Sequence, residues 1–217
     1  YYISYFVEIM NQKNSFGLDN CFKDLENPID LFGEWFNEAK KTEINDPNAF
    51  ALATVGKSGK PSVRMVLLKD YKKKGFTFYT NLNSKKSEDI KFYPTASICF
   101  HWKSLLRQIR ITGTITKVSD KDADAYYNSR SYGSKIGAWA SKQSSILKNK
   151  DELIKVIENY KKKYSEKDNV PRPDFWSGWN LNPDEIEFWL DGEDRIHQRL
   201  LYSRKGTNEW QRYLLNP

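Results

Sequence analysis

The sequence predicts one domain of mainly β structure, an antiparallel barrel with added helices. Segments that alternate between polar and apolar residues recur along the chain, and the clearest is QIRITGTIT at 108–116. Glycine-containing turns separate several of these segments. The 217 residues are enough for one core, and an aromatic content of 15% excludes a disordered chain. We therefore expect a single domain over 27–217, preceded by an N-terminal extension over 1–26.

The first half of the domain is expected to contain two helices and five strands. A helix begins at Pro28, with Asn27 as its N-cap, because apolar residues recur there at helical spacing. Two glycines in the segment 56–60 predict a hairpin between the first two strands. A short polar helix is expected over 83–92. The strands are expected at 50–55, 62–69, 76–80, 95–102 and 108–116.

The second half is expected to contain three helices and three strands. Ser119 and Asp122 resemble a capping box, which predicts a helix from there to about Arg130. Further helical segments follow over 134–141 and 151–164, and the second of these carries its apolar residues on one face. An extended connector then leads to closing strands, which are expected at 185–190, 195–203 and 210–215.

The positive charge is concentrated in one segment. The chain has 35 Lys and Arg residues against 28 Asp and Glu residues, a net charge of +7. Ten basic and three acidic residues lie between 57 and 91, so this segment contains the whole excess. A nucleic-acid-binding module would spread basic and aromatic residues over a broad surface, so this distribution favours small phosphorylated ligands. Lys72 to Lys74 are interpreted as a solvated hairpin tip.

Several features of the sequence favour the cytoplasm. No apolar run approaches the ~18 residues that a membrane span requires. The aromatic start of the chain has no basic region typical of a signal peptide. Cys21 and Cys99 lie far apart in segments of different character, which favours reduced thiols over a disulfide. We therefore expect a cytoplasmic protein that neither spans a membrane nor binds nucleic acid.

Two groups of residues within the cationic segment suit an anion. Arg64 and Lys69 bracket the apolar run of the second strand, where a charge needs a partner. Tyr79-Thr80 end a strand shortly before Lys85-Lys86, which begin a helix whose free N–H groups favour an anion. These residue types in this order indicate a phosphate site.

A second set of residues resembles a phosphate clamp. Tyr126 and Arg130 are i and i+4 neighbours on one helix face, and Ser134 follows shortly after. A phenol, a guanidinium and a hydroxyl together can bind a phosphate. Taken alone, the same spacing is also typical of an ordinary solvated helix face.

The expected strand at 195–203 carries a third set. A period of two puts Arg195, His197 and Arg199 on one strand face, which suggests an anionic or electron-rich ligand. The alternative is a solvated face whose cations pair with the acidic residues within 191–194. No Cys or carboxylate lies at ligand spacing from His197, so we expect no metal site.

Four blocks of the sequence resemble the pyridoxine/pyridoxamine 5′-phosphate oxidase family. They occur in the family's order and spacing over nearly the whole chain, from about Asn27 to Pro217. The first two blocks alone would indicate only the wider group of FMN-binding split barrels, whereas all four together are specific. The blocks are RMVLLK at 64–69, FYTNL at 78–82, IGAW at 136–139 with SKQSS at 141–145, and EFW at 187–189 with RIHQR at 195–199.

The resemblance implies an obligate homodimer of antiparallel Greek-key split β-barrels, with FMN in two clefts at the subunit interface. Several of the FMN contacts would come from the partner subunit. Lys85 stands where many family members have Arg, so a single contact would replace a forked one with the charge retained. The residues implied to contact FMN are Arg64, Met65, Val66, Leu67, Lys69, Tyr79, Thr80, Lys85, Lys86, Gln108, Gln143, Ser144, Trp189 and Arg199.

The resemblance also implies a reaction and a substrate site. The C4′ alcohol of pyridoxine 5′-phosphate or the C4′ amine of pyridoxamine 5′-phosphate would be oxidised to the aldehyde pyridoxal 5′-phosphate. Hydride would pass to flavin N5, and O2 would be reduced to hydrogen peroxide. The alternatives are another FMN split-barrel oxidoreductase and a non-catalytic flavin- or vitamer-binding protein. The implied residues are Lys69, Tyr126, Arg130 and Ser134 at the substrate phosphate, with Arg195 and His197 as catalytic residues over the substrate ring.

Overall fold

The computed structural model describes residues 13–72, 75–166, 169–206 and 209–217. The expectations for residues 1–12 and for Lys73 and Lys74 lie outside the described residues. Within the described ranges the chain forms nine strands, five α-helices and three short 3-10 turns. Across the same ranges, no helix combines the length and the apolar character needed to cross a membrane.

Each predicted strand and helix has a counterpart in the structure, and the short strand β3 is additional. The strands are β1 (Ala49–Val55), β2 (Pro61–Leu67), β3 (Asp70–Lys72), β4 (Gly75–Asn81), β5 (Thr95–Trp102), β6 (Arg107–Lys117), β7 (Trp176–Leu190), β8 (Gln198–Lys205) and β9 (Glu209–Leu214). The helices are α1 (Pro28–Thr42), α2 (Lys85–Phe92), α3 (Asp120–Asn128), α4 (Tyr132–Ala140) and α5 (Lys150–Lys163).

The helices differ in how their N-termini are capped. The side chains of Asn27 at α1, Ser119 at α3 and Asn149 at α5 each accept a backbone N–H, at 3.0, 3.1 and 2.9 Å. The first two confirm the predicted caps. Ser84 at α2 and Ser131 at α4 make no side-chain capping bond. The first N–H groups of α2 and α4 are therefore left for other acceptors.

All strand pairs are antiparallel, and the chain itself connects the two ends of the strand order. The order is β2-β1-β5-β6-β7-β4-β3, with β8 and β9 attached beyond β7. Neighbours that are distant in sequence, such as β1 with β5 and β4 with β7, give the Greek-key connectivity. At the open edge, β2 leads into β3, which pairs with β4, and Lys69 N donates to Thr77 O at 2.9 Å. The predicted antiparallel barrel is confirmed.

Strand β7 is where the barrel splits. It pairs with β6 along most of its length, with β4 over residues 176–181, and with β8 over 185–190. Its first half thus belongs to the barrel, and its second half extends the sheet to β8 and β9.

Helix α1 fills the barrel with aromatic side chains. Phe32 is fully buried, and its ring centroid lies 5.0, 4.9 and 5.2 Å from those of Tyr71, Phe76 and Phe100. These contacts join α1 to β3, β4 and β5, so burial of large rings holds the barrel together.

Residues 13–26 pack against the same core. Leu18 and Phe22 are buried, and Trp35 Nε1 donates to Cys21 O at 2.7 Å. Cys21 and Cys99 are free cysteines, in agreement with the prediction of reduced thiols. Burial raises the pKa of the Cys21 thiol, which keeps it protonated and unreactive.

The first half of β7 escapes prediction because its residues are poor strand formers. The expected strand began at 185, whereas β7 begins at Trp176 and contains Gly178 and Pro183. The β6–β7 register shifts between Thr112 and Gly113, which leaves Asp184 as an extra residue in β7. This bulge lets Pro183 lie within a central strand without breaking the ladder.

The expected strand over 195–203 is wrong at its start. Strand β8 begins at Gln198, and Glu193–Arg195 form a 3-10 turn. Asp194 and Arg195 have φ of 53° and 65°, in the left-handed region, where an extended strand cannot continue. Arg195, His197 and Arg199 therefore do not share a strand face, and only Arg199 is in β8.

Candidate functional site

A cleft of about 880 Å³ lies where the end of β4, strand β2 and the N-termini of α2 and α4 meet. Lys85 and Lys86 begin α2 on one side, and Ser131 precedes α4 on the other. The structure brings fourteen of the predicted site residues to this cleft. They are Arg64, Met65, Val66, Leu67, Lys69, Tyr79, Thr80, Lys85, Lys86, Tyr126, Arg130, Ser134, Gln143 and Ser144.

Arg64 is held by polar atoms of the β1–β2 hairpin. Its Nη1 donates to Leu52 O at 2.9 Å and to Thr54 Oγ1 at 2.7 Å, and its Nη2 donates to Ser62 Oγ. Burial lowers the pKa of Arg64 below its ordinary value, and the nearby carboxylate of Asp89 partly offsets this effect. The guanidinium therefore lies in a fixed position at the cleft wall.

Asp89 is a buried carboxylate behind these cations, with 1% of its side chain exposed. It accepts hydrogen bonds from Thr54 at 2.9 Å, from Ser62 at 3.0 Å and from Lys85 one turn earlier on α2. Burial by itself would raise the pKa of Asp89, but these hydrogen bonds outweigh it and hold the pKa below its usual range. Gly56 is required beside it, because a Cβ there would collide with Asp89 Oδ1.

Lys86 points into the cleft from the start of α2. Its Nζ donates to Thr80 Oγ1 at 3.1 Å, to Ser84 Oγ at 3.2 Å and to Gln143 Oε1 at 3.0 Å. Burial, with a smaller effect from Arg64, lowers the pKa of Lys86 to about 8. All its partners are neutral, so a bound anion would supply the missing counter-charge.

The lining near the N-terminus of α4 is aromatic and cationic. The rings of Tyr79 and Tyr126 stack with centroids 4.1 Å apart, and Lys69 Nζ lies 5.8 Å from the Tyr126 ring. Ser131, the N-cap residue of α4, makes no capping bond, and its hydroxyl donates to Ser134 Oγ at 2.9 Å. This end therefore presents hydroxyls and free helix N–H groups next to cations, as a phosphate site requires.

Five predicted residues lie on the β6–β8 side of the sheet instead. In the described part of the chain, the cleft lining leaves out Gln108, Trp189, Arg195, His197 and Arg199. Gln108 faces Trp189 across β6 and β7, and Trp189 faces Arg199 across β7 and β8. The ring of His197 lies 4.6 Å from that of Trp189. Four of the five thus form a second group on the same sheet.

Two carboxylates fix the members of this second group. Arg199 contacts the buried Glu187, with Nε at 2.9 Å from Oε1. His197 Nδ1 lies 3.1 Å from Asp191 Oδ1, and the N–H of Gly192 points to the same nitrogen at 3.3 Å. Asp191, one of the acidic residues that the sequence left as alternative partners, thus lies within ion-pairing distance of His197.

Sequence reasoning missed Thr54, Ser62 and Asp89 behind the cations, and Trp176 at the cleft wall. Asp89 could have been found from the predicted helix over 83–92, because Lys85 and Asp89 are i and i+4 neighbours there. Thr54 and Ser62 lie 35 and 27 residues from Asp89, so no local pattern joins them. Trp176 follows the predicted connector and begins a half-strand that the sequence did not reveal.

Two family models match this chain. The model for pyridoxamine 5′-phosphate oxidase matches residues 36–164, which include the cleft residues up to Ser144. The model for the pyridoxine 5′-phosphate oxidase C-terminal dimerisation region matches residues 176–217, which include β7, β8 and β9. Together the two matches cover both groups of predicted site residues.

Two curated relatives match nearly the whole chain. Pyridoxine/pyridoxamine 5′-phosphate oxidase of Pelagibacter ubique (strain HTCC1062) is 64% identical over 208 residues, which are 96% of this chain and 100% of the relative. The protein of the same name from Bartonella quintana (strain Toulouse) is 51% identical over 206 residues, 94% of this chain and 99% of the relative.

Two solved structures share the fold. PhzG from Burkholderia lata 383, in complex with tetrahydrophenazine-1-carboxylic acid, matches with a TM-score of 0.84 at 29% identity, over 91% of this chain and 96% of that one. A pyridoxamine 5′-phosphate oxidase-related, FMN binding protein from Nostoc punctiforme PCC 73102 matches with a TM-score of 0.71 at 18% identity, over 89% and 99%. The second likeness shows the fold alone.

Proposed function

The chain belongs to the pyridoxine/pyridoxamine 5′-phosphate oxidase family, and from this premise we propose how it binds its cofactor and substrate. It is an FMN-dependent oxidase that converts pyridoxine or pyridoxamine 5′-phosphate to pyridoxal 5′-phosphate. When bound, FMN supplies the two-electron oxidation at C4′ and the transfer of those electrons to dioxygen, which gives hydrogen peroxide. A cytoplasmic location is part of the proposal, in keeping with the free thiols of Cys21 and Cys99.

One observation carries the assignment of ligands. Helices α2 and α4, whose N-caps make no side-chain capping bond, both begin at the cleft, and both begin beside cations. FMN and the vitamer each bring one phosphate with a charge of about −1.5 to −2 at neutral pH. Two helix N-termini with adjacent cations match two phosphates.

The α2 end suits the phosphate of FMN. Arg64, Lys85 and Lys86 stand against the single carboxylate of Asp89, which leaves an excess of two positive charges. Burial, with a smaller effect from Arg64, lowers the pKa of Lys86, and a bound dianion would favour its charged form. Residues 65–67 of β2 and Gln143-Ser144 also line the cleft, and we assign them to the flavin ring.

The α4 end suits the phosphate of the vitamer. Arg130 and Lys69 provide charge there, and Tyr126 and Ser134 provide hydroxyl groups. Binding the phosphate at this end, and FMN at the other, holds the substrate at a fixed distance and angle. The protein then contributes orientation, and no side chain is required as an obligatory base.

The second group of residues completes the cleft of the partner subunit in this proposal. Arg195 and His197 would fix the pyridine ring, and Gln108, Trp189 and Arg199 would contact FMN. Support comes from their absence from the lining of their own cleft and from the match of residues 176–217 to a dimerisation region. Exposed apolar side chains on β2 and β9 are available to such an interface: Val63 is 66% exposed, Met65 64% and Tyr213 46%.

Cofactor binding is tested by titrating FMN and riboflavin into the apoprotein and following flavin fluorescence. Arg64→Ala should weaken FMN about tenfold or more and leave riboflavin binding unchanged, because only FMN carries the phosphate. Lys57→Ala, an exposed cation of the same hairpin, is the control and should change neither. Addition of pyridoxine 5′-phosphate to the loaded protein should then produce peroxide, and its absence would contradict the function.

The shared cleft is tested by subunit complementation. Arg130→Ala and His197→Ala homodimers should each be inactive, because every cleft lacks one residue. A heterodimer of the two, purified through different tags, contains one cleft with both changes and one intact cleft. It should regain about half of the wild-type rate per dimer. No recovery would mean that both residues serve the same subunit's cleft.

A further inference from the structure

Arg130 is held in the cleft without a carboxylate. In the described ranges its side chain makes no hydrogen bond or ion pair, and its buried Nη1 has no hydrogen-bond partner. Other arginines of this chain are paired with acids, such as Arg64 with Asp89 and Arg199 with Glu187. The charge and the N–H groups of Arg130 therefore remain available to a ligand.

The face of Trp176 supports this guanidinium instead. Arg130 Cζ lies 4.7 Å from the centroid of the Trp176 ring, within the range of a cation–π contact. Trp176 is 5% exposed, so the contact is largely shielded from water and correspondingly stronger. A smaller contribution comes from the ring of Tyr127, 5.8 Å from the same carbon.

Trp176 is itself locked in a layer of rings. It lies nearly parallel to Tyr79 and Tyr126, with angles of 9° and 10° and centroids 5.6 and 6.1 Å away. Tyr127 packs edge-on against it at 5.1 Å. In the sheet, Trp176 pairs with Asn81 at the end of β4. Neither rotation nor displacement of the indole is possible without disturbing several neighbours.

Stacking and ion pairing affect a guanidinium differently. A carboxylate occupies the N–H groups at the edge and neutralises the charge, whereas an aromatic face holds the plane and leaves the edge free. We propose that Trp176 is a positioning residue that holds Arg130 for the substrate phosphate and so favours phosphorylated over unphosphorylated vitamers. This inference rests on the proposed function of the cleft.

The test replaces Trp176 site-specifically by tryptophans with one to four ring fluorines, which weaken the cation–π attraction while nearly preserving shape. In the holoenzyme, KM for pyridoxine 5′-phosphate should rise stepwise, by about three- to tenfold over the series. The value of kcat and the dissociation constant for FMN should stay within about twofold. A purely structural role would not follow the fluorine count.

Trp210 provides the matched control. Its ring also supports an arginine, Arg204, at 4.6 Å, but it lies outside the lining of the cleft. The same fluorine series at Trp210 should leave KM unchanged. Trp176→Phe should retain more of the preference for pyridoxine 5′-phosphate over pyridoxine than Trp176→Leu, because a benzene face still supports Arg130.

The outcomes separate this inference from the proposed function. A flat KM across the Trp176 series, or a parallel loss of FMN affinity, would overturn the positioning role while the oxidase activity stands. A wild-type holoenzyme that forms no peroxide from either phosphorylated vitamer would overturn the function itself.

Discussion

Arg199 and Glu187 meet through two contacts to one carboxylate oxygen, Nε at 2.9 Å and Nη2 at 2.8 Å. Glu187 is 6% exposed, and its other oxygen lies 3.4 Å from Arg110. One buried acid thus fixes two arginines on the sheet face that we assign to the partner's cleft. The direction of the Arg199 side chain depends on this acid.

Glu187→Gln should therefore destabilise the protein by about 1–3 kcal/mol, since it removes the counter-charge of the partly buried Arg199. The measurement is urea unfolding of the apoprotein. Glu185→Gln, an exposed acid two residues earlier on β7, should stay within about 0.5 kcal/mol of wild type. Equal stability of the two variants would show that the buried pair contributes nothing.

Lys86 predicts a pH dependence of FMN binding. The pKa of Lys86 is lowered by burial to about 8, and a phosphate dianion favours its protonated form. The dissociation constant for FMN should therefore rise above pH 8, approaching tenfold per pH unit. Riboflavin titrations should stay flat over the same range, and so should FMN titrations of Lys86→Arg. A flat FMN profile for the wild type would argue against Lys86 as a phosphate ligand.

The same lysine predicts the pH dependence of apoprotein stability. Between about pH 8 and the ordinary value of 10.5, the unfolded chain binds a proton that the folded chain has lost. The free energy of unfolding due to Lys86 should therefore increase with pH through this window. Denaturant unfolding of wild type and Lys86→Met at several pH values isolates the effect, and the difference between them should shrink as pH rises.

Gly56→Ala should disturb the buried acid behind the cofactor cations. A Cβ at this position would collide with Asp89 Oδ1 and lie 3.0 Å from Lys85 Nζ. We expect a loss of about 1–3 kcal/mol in stability, together with weaker FMN binding. Gly133→Ala in α4 has no atom within 4 Å of the added Cβ and should be neutral or slightly stabilising. An unaffected Gly56→Ala protein would contradict the rigidity of this network.

The turn before β8 gives a test of backbone strain. Asp194 has φ of 53°, a conformation that β-branched residues strongly disfavour. Asp194→Val should cost about 1–2 kcal/mol, whereas Asp194→Gly should be nearly neutral. Thermal unfolding measures both, and the glycine variant is the control for loss of the carboxylate. If the valine variant were as stable as the glycine variant, the left-handed conformation of Asp194 would be contradicted.

Much of the fold was predictable because its signals are local. The Asn27 and Ser119 caps, the hairpin after β1 and the alternation of β6 each depend on a few neighbouring residues. The failures occur where distant pairing overrides local preference. Pro183 lies in a central strand only because β7 has a bulge at the adjacent residue, Asp184.

The candidate site divides in the same way. Residue identity determined that Arg64, Lys85, Lys86 and Arg130 suit phosphate, because charge and hydrogen-bonding groups belong to the side chains themselves. Long-range packing decided how two of them are held: Lys86 by Gln143, and Arg130 by Trp176. Packing also decided that Gln108, Trp189 and Arg199 form a row away from their own cleft, since only strand register brings residues so distant in sequence side by side.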